Sequence, residues 1–319
     1  MSRLLSFFFV VALILAGTSA QAQKEVRLSI ATGGTGGVYY PMGGGLANII
    51  SKYIPEIEAT AEVTSASVDN CLLVGAKKAD MAFVMADVSY DAAQGKDKFK
   101  SKLPLQTLVM LYPNNMHVVT LENKGIDKVS DLKGKRFSTG SPGSGTEVKC
   151  LRILEANGID PAKDMTRDRL GASESAGALK DGKIDAYCWD GGIPTASVTD
   201  LGATPGVKLK LINHGDSVAK MTEKYGPLYI QGVIPAKSYP GQDKDVTIAV
   251  VWNILLCNAD MKEDIAYKIV KTLFEKKPEL VAVHRDAEHL KLESQASGSP
   301  LPFHPGAVKY FKEKGIAVK

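Results

Sequence analysis

The sequence predicts an α/β chain folded as two facing lobes, and three observations carry that reading. Strand-like and helix-like stretches alternate from Val26 onward, the pattern of a mostly parallel sheet covered by helices. A glycine loop opens a helix twice, at "GGTGGVYYP" (residues 33–41) and at "SPGSGTE" (residues 141–147). A short repeat also links the halves, because "KKADMAF" and "GKIDAYC" each carry Lys-x-Asp followed closely by Ala and an aromatic residue. Asp80 lies 44 residues after Gly36, and Asp185 lies 40 after Gly145.

Taken in order, "VRLSIAT" alternates apolar and polar residues as a strand and runs into the first glycine loop. "YYPMGGGLANIISKYI" then has helical spacing, with Pro41 acceptable only in the first turn. "IEATAEVT" predicts a second strand, "SVDNCLLVGAKKA" a second helix and "DMAFVMA" a third strand. In the middle of the chain "RFSTG" predicts a short strand and "EVKCLRILEANG" a helix stopped by Gly158, while "ALKDGKIDAYCWDGG" ends a helix and enters a strand. "LYPNNMHVVTLENKGIDKVSDLKGKR" reads as the first crossing between lobes, followed by a surface turn and a short helix. "YGPLYIQGVIPAKSYPG" reads as the return crossing. "VTIAVVWNILLCNADM" and "EDIAYKIVKTLFEKKPELVAVH" read as amphipathic segments of the first lobe.

The ends and the composition bound the function. Arg3, an uncharged and mostly apolar run from Leu4 to Ala16, and the small-x-small site Ala20-Gln21-Ala22 have the layout of a secretory signal peptide. Residues 1–22 are therefore the expected signal, with a mature chain starting near Gln23 and soluble outside the cytoplasmic membrane. The expected division is 23–115 for lobe 1, 116–231 for lobe 2, and 232–319 for the return to lobe 1 with C-terminal helices. The whole chain has 39 basic and 35 acidic side chains. They are scattered, which leaves no nucleic-acid footprint.

Cys71, Cys150, Cys188 and Cys257 lie far apart, and none forms a CxxC, so no metal site is suggested. A Cys150–Cys188 disulfide is open if both lie in one domain; the alternative is four small buried hydrophobes.

The first loop fits no nucleotide motif. It lacks the Lys-Ser/Thr of a P-loop, and Tyr39 stands where the third dinucleotide-binding glycine counted from Gly34 should be. No G-x-S-x-G elbow is present, and the five histidines sit in unrelated contexts, so an enzyme is not expected. A hydrolase remains open as an alternative, because triad members need not be close in sequence. A sensor for a membrane kinase is the other. Anion capture by helix N-termini fits better. Ser144 precedes Glu147 in the S-x-x-E capping-box pattern, with the amides of Gly145 and Thr146 at the positive end of a helix. Ser67 and Asn70 stand similarly at the mouth of "SVDN". A plain N-cap reading is the alternative at any single loop.

At this point "GGTGGVYYPMGGGLA", "SVDN", "GSPGSGTEV" and "DAYCWDGGIPTASV" resemble, in order along nearly the whole mature chain, the landmarks of the TAXI family. These are the extracytoplasmic solute-binding proteins of TRAP transporters. The resemblance implies a two-lobed periplasmic binding protein fold with a hinge and an interlobe ligand cleft. It implies a monomer without cofactor that delivers a small carboxylate, such as glutamate or 2-oxoglutarate, or an amino acid to membrane permease subunits driven by an ion gradient. Motif by motif it assigns ligand contacts to Thr35, Gly36, Tyr39, Ser67, Asn70, Ser144, Gly145, Thr146 and Trp189. Hinge motion is expected near Tyr112–His117 and Gln231–Pro235.

Two positions depart from the family. Met85 stands where members often have Gln, and Asp190 replaces a commonly small or neutral residue. Facing the cleft, Asp190 would pair with a ligand ammonium or repel a second carboxylate; facing solvent, it would do neither.

Overall fold

The computed structural model describes residues 26–318. The expected signal, residues 1–22, and the expected mature start at Gln23 lie outside the described residues. Among those described, no helix is long and apolar enough to cross a membrane.

The first lobe begins as the sequence predicts, with β1 (Val26–Ala31), α1 (Tyr39–Tyr53), β2 (Ile57–Glu62), α2 (Ser67–Gly75) and β3 (Met81–Met85), and then adds α3 (Ala86–Gln94), a helix outside the predicted elements. β1 lies between β2 and β3, parallel to both. Then comes β4 (Leu105–Leu121), a strand of 17 residues. At about 3.3 Å per residue it is long enough to serve two lobes. The second lobe holds β5 (Arg136–Ser138), α4 (Gly145–Ala156), β6 (Thr166–Asp168), α5 (Ala172–Lys180), β7 (Ala186–Gly191), α6 (Ala196–Ala203), β8 (Leu209–Leu211), α7 (Ser217–Tyr225) and β9 (Ile230–Ile234). β10 (Val246–Asn258) returns to the first lobe, which α8 (Glu263–Glu275), α9 (Lys277–Val283), α10 (Leu292–Ala296) and α11 (Pro305–Glu313) complete.

One sheet runs through both lobes in the order β2-β1-β3-β10-β4-β7-β5-β6, with β8 added to β4 and β9 to β10. β4 and β10 pair antiparallel through the middle and change partners there. β10 leaves β9 after Val250 and takes up β3 from Asn253, while β4 begins its pairing with β7 at Asn115. Pro113 sits at this exchange, opposite Trp252, where the β10 register shifts. A residue without an N–H is tolerable there because the ladder is already interrupted.

The first crossing therefore falls where the sequence predicts it, around Tyr112–Asn115. The second does not. Gln231–Pro235 belongs mostly to β9, which pairs with Val246–Val250 inside the second lobe, and the return is made by β10 around Val250–Trp252. "VTIAVVWNILLCN" is thus a crossing strand rather than an amphipathic segment of the first lobe. It is buried on both faces, so its apolar residues do not alternate.

The repeat read from the sequence has a structural meaning. Asp80 accepts from Ser29 N at 2.8 Å, and Asp185 accepts from Arg136 N at 3.0 Å. Each carboxylate precedes an inner strand, β3 or β7, and stitches it to its neighbour, β1 or β5. In the second lobe Arg136 adds a forked ion pair, with Nε 3.1 Å and Nη2 2.7 Å from the Asp185 oxygens. These bonds hold the Asp185 carboxyl well below the usual carboxylate range.

Two cores result. One fills the first lobe and continues over the α4 face of the second through Val118, Cys150, Ile153 and Cys188. The other covers the opposite face of the second lobe through Val119, Leu179, Tyr187 and Leu201. Neighbours such as Val118 and Val119 go to opposite faces, as the two-residue period of a strand requires. Cys150 on α4 and Cys188 on β7 form a disulfide with Cα atoms 6.1 Å apart, while Cys71 and Cys257 are buried free thiols. The pairing left open in the sequence is made inside one lobe.

Candidate ligand cleft between the lobes

A cavity of about 270 Å³ lies between the lobes. The first lobe contributes the Gly33–Gly37 loop, Tyr39, the turn Thr64–Ser67 and Met85; the second contributes Ser141, Ser144–Thr146, Gly171–Glu174 and Trp189–Gly191. Tyr112 and Asn114, at the first crossing, complete its lining. Its volume falls below the roughly 300–1,000 Å³ usual for drug-sized ligands, so it suits a small one.

Of the nine residues that the sequence assigns to ligand contact, Thr35, Gly36, Tyr39, Ser67, Ser144, Gly145, Thr146 and Trp189 line this cavity. Asn70 does not. Its amide nitrogen donates to Thr32 O at 2.7 Å and Phe83 O at 2.8 Å, and its Oδ1 accepts from Thr64 Oγ1 at 2.6 Å. Position at a helix mouth suggested a ligand contact, but the inward face of α2 turns Asn70 into a fastener between β1, β3 and the Thr64 turn.

The α2 mouth is also occupied. Val68 N and Asp69 N donate to Gly143 O at 3.0 and 3.3 Å, so the first amides of this helix bond the opposite lobe. Ser67 Oγ accepts from Met85 N at 3.2 Å. Burial drives the Tyr39 phenol well above its ordinary range, against the effect of its hydrogen bond with Ser67. The Tyr39 hydroxyl donates to Asn253 Oδ1, and its ring packs on Phe83 at 5.4 Å between centroids. Ala66, next to Ser67, sits at φ +78°, a region that non-glycine residues rarely occupy and that recurs at ligand sites.

The α4 mouth is different. Ser144 Oγ accepts from Glu147 N at 3.0 Å and donates to Ser141 O at 2.7 Å, so its hydroxyl is spent on capping. The reciprocal half of the expected capping box is replaced, because the Glu147 carboxylate is held by Arg167 and Arg169. Gly145 and Thr146 are the first helical residues. Helix geometry leaves their amides without intrahelical acceptors, and both residues line the cavity. A second mouth in this lobe, Gly171–Glu174 at the start of α5, also lines it and has no side-chain cap. Its one mark in the sequence is the run of small residues in "GASESAG".

Trp189 commits its indole N–H to Thr195 Oγ1 at 2.9 Å and so offers the cavity only its ring. A Cβ on Gly37 would come within 2.7 Å of that ring, which means that the two lobes touch here across the cleft.

The floor is polar and was only partly foreseen. The Asp190 side chain is fully buried, which settles its orientation inward, away from solvent. Lys149, equally buried, bonds Asp190 Oδ1 at 3.2 Å and Asn114 O at 3.2 Å. Its Nζ is also 3.1 Å from Oδ2, but outside hydrogen-bonding geometry, and Oδ2 has no hydrogen-bond partner. Burial lifts the Asp190 carboxyl to about 6, with Lys149 opposing the rise. Both polar atoms of the Asn114 amide and the hydroxyl of Tyr112 are likewise buried without partners.

Behind the cavity Arg152 of α4 joins the lobes by pairing with Asp87 and Asp91 of α3 and with Asp97. The five histidines lie elsewhere. His117 bonds Asn115 O and Tyr239, His214 bonds Ile212 O, and His284 bonds Pro194 O. His304 bonds Met261 O, and His289 closes a short turn after α9.

Residues 30–315 match the model of a family described as NMT1-like. Among solved structures, a Listeria monocytogenes protein assigned to an L-cystine ABC transporter superposes with a TM-score of 0.50 at 18% identity, over 83% of this chain and 95% of that one. A Bordetella bronchiseptica RB50 protein gives 0.50 at 16% identity, over 90% and 80%. An ancestral arginine-binding protein bound to arginine gives 0.50 at 12% identity, over 82% and 98%. At such identities the likeness establishes the fold, which is the two-lobed fold of periplasmic solute-binding proteins.

Proposed function

This chain belongs to the NMT1-like family, and from that premise we propose that it is the extracytoplasmic solute-binding subunit of a TRAP transporter of the TAXI type. It captures a small carboxylate, such as glutamate or 2-oxoglutarate, and delivers it to a permease driven by an ion gradient. The observation that carries this reading is the cavity itself. The first two amides of α4 and the N-terminus of α5, which has no side-chain cap, border one space of about 270 Å³ between lobes joined by two strands. Aligned amides and the positive end of a helix hold a carboxylate without any Arg or Lys in contact. Ligand contacts are assigned to Thr35, Gly36, Tyr39, Ser67, Ser144, Gly145, Thr146 and Trp189; Asn70 supports them from behind.

A thermal-shift screen of the purified protein against small carboxylates tests this. A ligand at 100 times its Kd adds about 2.7 kcal/mol of stability. Turnover without saturable stabilisation would sink the reading. In proteoliposomes carrying the permease, uptake should need an ion gradient and no ATP; ATP dependence would overturn the TRAP assignment and leave solute capture intact.

A further inference from the structure

The floor of the cavity asks for something that the α4 and α5 mouths do not. Asp190 Oδ2, both polar atoms of the Asn114 amide and the Tyr112 hydroxyl are buried beneath one small space, and each lacks a hydrogen-bond partner, with Lys149 Nζ 3.1 Å from Oδ2 as its ion-pair contact. Native proteins leave few buried polar atoms unpaired, and those that remain point to a missing partner. The surrounding charge has the same sign. Asp190, Asp87, Asp91 and Asp97 face only Lys149 and Arg152 in this cluster, which leaves it short of positive charge.

Floor and mouth are also adjacent. Thr146 Oγ1 accepts from Asp190 N at 3.3 Å, which ties the second residue of α4 directly to the strand that carries the carboxylate. A donor head and a carboxylate bound here must therefore lie close together on the ligand.

Building on the carboxylate-binding reading above, we propose that Asp190, Asn114 and Tyr112 form a subsite for an ammonium group, so that the ligand is an α-amino acid rather than a carboxylate lacking an amine. The α-carboxylate rests on the α4 mouth and the α-ammonium on the floor, one carbon apart. An ammonium has N–H donors for Asp190 Oδ2, Asn114 Oδ1 and the Tyr112 oxygen, each of which can accept. A keto acid has no donor at this position, and a hydroxy acid has only one. The keto oxygen also places a lone pair against Asp190.

Calorimetry on matched ligand pairs decides the matter: L-glutamate against 2-oxoglutarate, and L-alanine against pyruvate. In at least one pair the amine-bearing member should bind tenfold or more tightly. Asp190→Asn alone leaves Lys149 uncompensated, so the informative variant is Asp190→Asn with Lys149→Met, which should lose the preference. Tyr112→Phe removes one acceptor and should lower affinity for the amine-bearing member more than for its partner, even if the double variant fails to fold. Equal or tighter binding of the keto acid by the unaltered protein overturns the ammonium subsite and leaves carboxylate capture standing. Binding of no carboxylate of either kind overturns both. A folded double variant that keeps the preference places the ammonium elsewhere and overturns the assignment.

Discussion

Asn70 stands at a helix mouth, where the sequence suggests a ligand contact, and the fold turns its side chain inward. With no surface exposed, it bonds the end of β1, the middle of β3 and the Thr64 hydroxyl. Asn70→Ala removes a buried donor and acceptor together and strands their partners. At about 1–3 kcal/mol for each buried group left unsatisfied, it should destabilise the fold by about 2–4 kcal/mol, measured by urea unfolding. A loss of affinity with unchanged stability would instead return Asn70 to the ligand. Asp190 is the converse case. No local pattern tells which way a residue points in a strand covered on both faces, and only the fold put it in the floor. Tyr112 and Asn114 were hidden for a related reason, because they sit inside a continuous crossing strand with no loop to mark them.

Among the elements, the alternation of strands and helices in the first lobe and the α4 helix were legible because each has its own period and its own punctuation. Gly158, at φ +68°, closes α4 as its sequence position predicts. β10 was not legible as a crossing. Its long apolar run fits a buried strand and a buried helix equally, and periodicity does not separate them. The Cys150–Cys188 bond was legible only as a possibility, since its geometry depends on α4 packing against β7. The bond fixes the helix that offers the α4 mouth to the strand that carries Asp190, at a sequence separation of 38. Replacing both cysteines by Ala should cost about 4 kcal/mol on a loop-entropy basis, read from denaturant midpoints with and without reductant. It should also weaken ligand binding, because helix mouth and floor lose a common mount; unchanged affinity would show that packing alone holds their spacing.

For the whole molecule, the glycines that line the cleft mark where the lobes meet. A Cβ on Gly145 would come within 2.8 Å of Ser67 Oγ in the other lobe and would also press on Met85 Sδ. Gly145→Ala leaves each lobe free to fold, and Ala suits a helix better than Gly does. It should nevertheless keep the lobes apart. Small-angle scattering should find a larger radius of gyration for this variant than for the unaltered protein at saturating ligand. Equal radii would mean that the contact yields and that the glycine serves another purpose.

The partner exchange of β4 and β10 has a consequence for the free energy of any motion between the lobes. A single tether would let one lobe swivel, swing and roll against the other, and capture would have to freeze all three freedoms. Two antiparallel strands bonded side by side at Asn114–Val251 and Asn115–Val250 resist swivelling and sideways shear, which leaves bending across the pair as the soft coordinate. An ensemble confined to one coordinate has little orientational entropy to surrender. More of the energy of each contact in the cleft then appears as affinity, and less is consumed in ordering the protein around its ligand.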